Sequence, residues 1–220
     1  MREISGTPIL QIMFDRHKAH HCWSAGAATV CATILACGFA IQSGPARSQT
    51  PATMDDLQGA IMEASATNQR LVRVNGREVT NKYQTDWTIR FMSADAIRTI
   101  FVGTTHDARG ATLAQGSGRV VDVTLARPNE TKSRGGGHQV WIFENGVLTY
   151  LRTYEGGGMK ATFAMNRDAA GFSCTTNVAW PREVGIPSIK MRSDFDNQII
   201  IELLSTKQIA SSCRIKPADR

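Results

Sequence analysis

Asn145-Gly146 stands between two runs of strand-forming residues, QVWIFE and VLTYLRTY. No other feature limits the fold of this chain so tightly. An Asn-Gly pair adopts positive φ at both positions at little cost, as a two-residue type I′ hairpin turn demands. Such a turn sets the register. Glu144 faces Val147, Phe143 faces Leu148, Ile142 faces Thr149 and Trp141 faces Tyr150. One side of the hairpin then carries Trp141, Phe143, Leu148 and Tyr150, and the other carries Val140, Ile142, Val147 and Leu151. Both sides are apolar, so the hairpin is expected to be central, covered on both faces or lining an interior.

The flanking sequence repeats the period of two. Trp87, Ile89 and Phe91 alternate with Asp86, Thr88 and Arg90, and Ile97–Val102 follows a turn at Ser93–Asp95. Val121, Val123 and Leu125 alternate with polar residues up to Pro128, which cannot donate to a ladder. A polar loop, Asn129–Gly137, precedes the hairpin. After it, Gly156–Gly158 reads as a flexible turn, and Met159, Ala161, Phe163 and Met165 share one face of a strand. Phe172, Cys174 and Thr176 share a face of the next, Trp180–Pro187 is irregular, and Asp194–Asn197 reads as a turn. Gln198–Leu204 and Ile209–Ile215 close the chain as extended segments.

One stretch has two readings. Leu57, Ala60, Ile61 and Ala64 have helical spacing with Asp55 or Asp56 as the cap. Leu57–Val74 also reads as a long strand into a turn at Asn75-Gly76, and the extended character of everything downstream favours strand. Short strands joined in chain order by tight turns imply an all-β antiparallel meander. An up-and-down, lipocalin-like barrel is preferred to a sandwich because closure removes exposed edges.

Residues 1–48 read as an export signal. Arg16, His17 and Lys18 precede the uncharged run Ala25–Ile41, followed by Gly44, Pro45 and the small-x-small triplet Ala46-Arg47-Ser48. Cleavage there leaves residues 49–220 as a single antiparallel β domain, periplasmic or secreted. The alternative is an uncleaved anchor, against which the run is short and poor in Leu and Ile. After cleavage no membrane span is expected, and an outer-membrane barrel is disfavoured by outward Arg90, Asp122 and Lys160.

The leader holds four of the 25 Lys/Arg and two of the 19 Asp/Glu, which leaves a mature net charge of +4. The basic residues are scattered, so no nucleic-acid stripe forms. Cys174 and Cys213 are the only cysteines after residue 48, and an even number in an exported chain favours a disulfide. A loop of roughly 40 residues closed this way contributes on the order of 4 kcal/mol in the chain-entropy model. Two cysteines and two histidines, His106 and His138, without ligand-type spacing give no metal site, and no cofactor is implied.

The strings GGGHQVWIFENGVLTYLRTYEGGGMKATF, FSCTTNVAWPREVG and SSCRI resemble a group of exported β-rich proteins of soil alphaproteobacteria with no assigned function. The resemblance covers most of the mature chain. It implies an envelope or secreted location and a Cys174–Cys213 bridge, and it carries no catalytic residues.

The candidate chemistry is sparse. Trp141, Phe143, Tyr150 and Phe163 would line an apolar ligand cavity if the barrel is hollow, or form its core if it is filled. His106-Asp107 would serve as a base with its orienting acid only within a turn, because strand neighbours point to opposite faces, and Gly103 and Gly110 favour a turn there. Ser133–His138 lacks the Lys and the following helix of a phosphate loop. The expectation is an exported binding protein for a small apolar ligand rather than an enzyme. The alternatives are an envelope interaction or inhibitor-type protein without a cavity and, third, a hydrolase using His106 and Asp107. Oligomeric state is not specified by these patterns.

Overall fold

A computed structural model describes residues 49–126, 139–193 and 198–218. Two antiparallel sheets make up nearly all of it. The larger is built from β2 (Ile61–Val74), β3 (Arg77–Ser93), β4 (Ala96–His106), β5 (Thr112–Gln115), β6 (Arg119–Thr124), β11 (Ile189–Arg192) and β12 (Ile200–Lys216). The smaller is built from β1 (Thr50–Pro51), β7 (Gln139–Glu144), β8 (Val147–Tyr154), β9 (Gly157–Asp168) and β10 (Gly171–Ala179). One of the two sheets curls into half a barrel, giving the expected all-β, barrel-like architecture. The export-signal segment, Pro128, the Asn129–Gly137 loop and the Asp194–Asn197 turn lie outside the described residues.

The Asn-Gly turns form where the sequence places them. Asn145 and Gly146 have φ of 49° and 75°, and Asn75 and Gly76 have φ of 50° and 76°. The β7–β8 ladder pairs Glu144 with Val147, Phe143 with Leu148, Ile142 with Thr149 and Trp141 with Tyr150, the register the turn dictates. Met159, Ala161, Phe163 and Met165 are all buried, as their alternation requires.

Several expectations need correction. The ambiguous stretch divides: Met54–Leu57 is a single helical turn, α1, and the strand starts at Ile61. Its cap is Thr53, not Asp55 or Asp56. The Thr53 hydroxyl accepts from the Asp56 N–H at 3.2 Å, and the Thr53 N–H donates to the Asp56 carboxylate at 2.9 Å, a reciprocal capping box. Met54 and Leu57 are thereby turned into the core. The two closing segments are one strand, β12, paired along its length with β2 and interrupted by irregularities at Leu203/Ser205 and Gln208/Ala210. Gly103 is no turn residue. It lies within β4, where a Cβ would collide with the Tyr83 hydroxyl. Gly156–Gly158 turns the chain between β8 and β9, as expected, and also forms a bed for backbone. A Cβ on Gly156, whose φ is +83°, would lie 2.6 Å from the Ser188 carbonyl oxygen.

The sheets meet along two seams. At one, the Ala126 N–H donates to the Trp141 carbonyl at 2.8 Å. At the other, β10 runs beside β12, and side chains bridge the gap. Gln208 accepts from the Val178 N–H at 2.6 Å and donates to the Thr176 carbonyl at 3.2 Å, so its amide imitates a peptide unit of a ladder. Asn68 donates to the Val178 carbonyl at 3.0 Å. Cys174 and Cys213 form a disulfide across this seam with 5.5 Å between Cα atoms, within the usual span.

Two outcomes follow from this architecture. Cys213→Ser removes the covalent link of a seam that side chains otherwise close, and should cost about 2–5 kcal/mol. Hydrogen exchange should rise first in the Trp180–Pro187 loop that the bridge encloses. Unchanged exchange there would contradict that role for the seam. Asp56 supplies a pH signature. The Thr53 backbone N–H, then its hydroxyl, and the Arg167 guanidinium hold the carboxyl below its ordinary value. Its contribution is complete above the unfolded value of about 4 and is lost as pH falls through the lower folded value. Acid titration of Tm should therefore show a shallower decline in Asp56→Asn, which starts from lower stability at neutral pH.

Candidate functional site

The inner face of the hairpin belongs to the core. Trp141, Tyr150 and Phe163 are buried and Phe143 is half-buried, so the structure brings the four expected residues to one surface. Three of the four rings, those of Trp141, Tyr150 and Phe163, meet through Trp141. Trp141 and Tyr150 have centroids 4.8 Å apart, and Trp141 lies 6.3 Å from Phe163. Phe163 reaches across the interior to Trp87 of the larger sheet at 5.3 Å, edge to face, and Trp87 packs on Phe101 at 5.4 Å. Edge-to-face and offset pairs at these distances are favourable beyond their area. This part of the interior is occupied by its own side chains.

His106 ends β4 and meets a hydroxyl, Thr112 Oγ1, at 3.3 Å from Nδ1. The Asp107 carboxylate is engaged elsewhere, accepting from the Arg109 N–H at 2.9 Å and the Ala111 N–H at 2.8 Å. That is a turn held by an Asp side chain, and among the described residues no carboxylate is hydrogen-bonded to His106. Ser133–His138 lies outside the described residues. Among the described residues no three His, Cys, Asp or Glu side chains come together as metal ligands.

The outer face of the same hairpin holds a recess of about 410 Å³, lined by Ile142, Glu144, Asn145, Val147, Thr149, Leu151 and Lys160. Pleating explains its composition. In register, Leu151 lies between Val140 and Lys160, Thr149 between Ile142 and Thr162, and Val147 between Glu144 and Ala164. Aliphatic Ile142, Val147 and Leu151 form the floor, while exposed Glu144 and Lys160 stand at the rim. Among the described residues neither rim charge makes an ion pair. An antiparallel sheet facing water ordinarily turns polar residues outward, and the aliphatic outer stripe over two adjacent strands departs from that pattern. The signal was present in the sequence as a hairpin apolar on both sides. Which side faced the core required the second sheet.

Chemically the recess offers aliphatic surface, a hydroxyl, an amide, a carboxylate and an ammonium. That set holds an apolar group and orients a charge. No helix among the described residues is long and apolar enough to cross a membrane, which says nothing of β-strands. Compared with known proteins, the chain matches no family model, no curated protein and no solved structure.

Proposed function

We propose that this chain is an exported binding protein, periplasmic or secreted, which takes a small apolar group on its outer face instead of inside its barrel. The observation that carries the reading is the aliphatic recess over β7, β8 and β9, within the size range of small-molecule sites. The aromatic interior supports it indirectly. With Phe163 wedged between Trp87 and Trp141, the inner face acts as a rigid backing for the recess. The Cys174–Cys213 bridge supports export, since disulfides persist in oxidising compartments. The alternative, an envelope interaction protein without an interior cavity, is favoured by the same packed core. It places a partner's side chain where the first reading places a small molecule.

The test is a titration with anilinonaphthalene sulfonate, whose apolar rings suit the floor and whose sulfonate suits Lys160. Wild-type mature protein should bind with enhanced fluorescence. Val147→Asp should weaken binding at least about tenfold, equivalent to 1.4 kcal/mol, without unfolding the domain, because the side chain points away from the core. Equal affinity in wild type and Val147→Asp, or no binding by wild type, would remove the recess as a binding site.

A further inference from the structure

Pro181–Pro187 is exposed throughout, and Val184 at its apex is fully solvent-exposed, with Ile186 partly so. This loop is nonetheless firmly tied. The Gly158 N–H donates to the Pro181 carbonyl at 3.0 Å, and the Glu183 N–H donates to the Gly156 carbonyl at 3.0 Å. The Arg182 guanidinium donates to the Pro187 carbonyl at 2.6 Å and to the Leu204 carbonyl, strapping the loop's two ends to β12. At the tip the Ile186 N–H returns to the Glu183 carbonyl at 3.2 Å, and Gly185 has φ of +81°. That is a β-turn with Val184 and Gly185 at its centre. An apolar side chain at the apex of a pinned turn is preorganised to insert, because little conformational freedom remains to be lost on binding.

The turn and the recess are complementary. The turn carries aliphatic Val184 and Ile186 beside Glu183, and the recess carries aliphatic Ile142, Val147 and Leu151 between Glu144 at the Val147 end and Lys160 at the Leu151 end. Among the described residues neither Glu183 nor Lys160 makes an ion pair. No residue of the turn lines the recess of its own chain. We propose that the recess receives the Val184-Gly185-Ile186 turn of a second copy, with Glu183 of one copy against Lys160 of the next. This rests on the recess being an apolar-binding site and names its occupant. The contact joins two different surfaces, so it is head-to-tail and propagates into a ring or an open chain instead of stopping at a symmetric dimer. A single turn buries little area, which places the association in the weak, concentration-dependent class.

Analytical ultracentrifugation of the mature chain over a rising concentration series tests this. Wild type should gain mass progressively past the dimer. Val184→Asp and Lys160→Glu, both at exposed positions and both expected to fold, should remain monomeric when alone. Mixed together they should form a heterodimer that grows no further, because Val184→Asp retains the recess and Lys160→Glu retains the turn. Glu183→Lys combined with Lys160→Glu should recover association. Monomeric wild type at millimolar concentration, association undiminished by Val184→Asp, or no recovery in the charge-swapped chain would each overturn the proposal. The dye titration separates the two levels. Dye bound at the recess by a protein that stays monomeric removes only self-association, and the absence of both removes the recess as well.

Discussion

Phe163 has no exposed surface, and its ring touches Trp87 of the facing sheet as well as Trp141 of its own. Much else depends on that three-ring contact. It sets the spacing between β3 and β9, and fixes which face of the β7–β8 hairpin turns inward. In a small β-barrel the interior either is filled by side chains or holds one guest, and here Trp87, Trp141 and Phe163 occupy this part of it. The apolar residues left over on the hairpin must then face outward. A recess on the outer surface is thus tied to the packed interior.

Closure of the barrel uses a different device. Where β10 meets β12, the Gln208 amide donates to one backbone group and accepts from another, taking the place of a ladder rung. Asn68 adds a further bond, and the disulfide makes the junction covalent. Side-chain amides reach across a wider gap than backbone groups do. The strands can therefore splay without leaving the Val178 N–H and carbonyl and the Thr176 carbonyl unsatisfied, and buried backbone groups tolerate little else.

The sequence reveals the parts governed by local rules. Asn145-Gly146 determines its own turn, and the turn determines the pairing of Trp141 with Tyr150. Strict alternation identifies the buried face of β9, and cysteine parity identifies the bridge. What stayed hidden depends on residues distant in the chain. Gly103 resembles a turn glycine until Tyr83 is seen to occupy the space beside it. Gly156–Gly158 resembles a flexible loop until the Ser188 carbonyl is found against it. Thr53 does not stand out as the cap in the sequence, because the aspartates after it are equally good formers of helix starts. The recess was half legible: a hairpin apolar on both faces must cover something on each, but the alternation is symmetric and does not say which face is core.

The pairing of β12 with β2 brings together strands from opposite ends of the domain, with Lys216 opposite Ile61 and Ile201 opposite Val74. The β2–β3 and β3–β4 hairpins can form as soon as their own residues are available, but one edge of β2 remains open until the last strand arrives. Such long-range pairing slows folding, since chain closure precedes the contacts that reward it. The edge that β2 and β12 share in this pairing is one that, left free, templates pairing with other chains. Glu63, Arg73, Lys207 and Arg214, spaced along β2 and β12, place charge beside those edges.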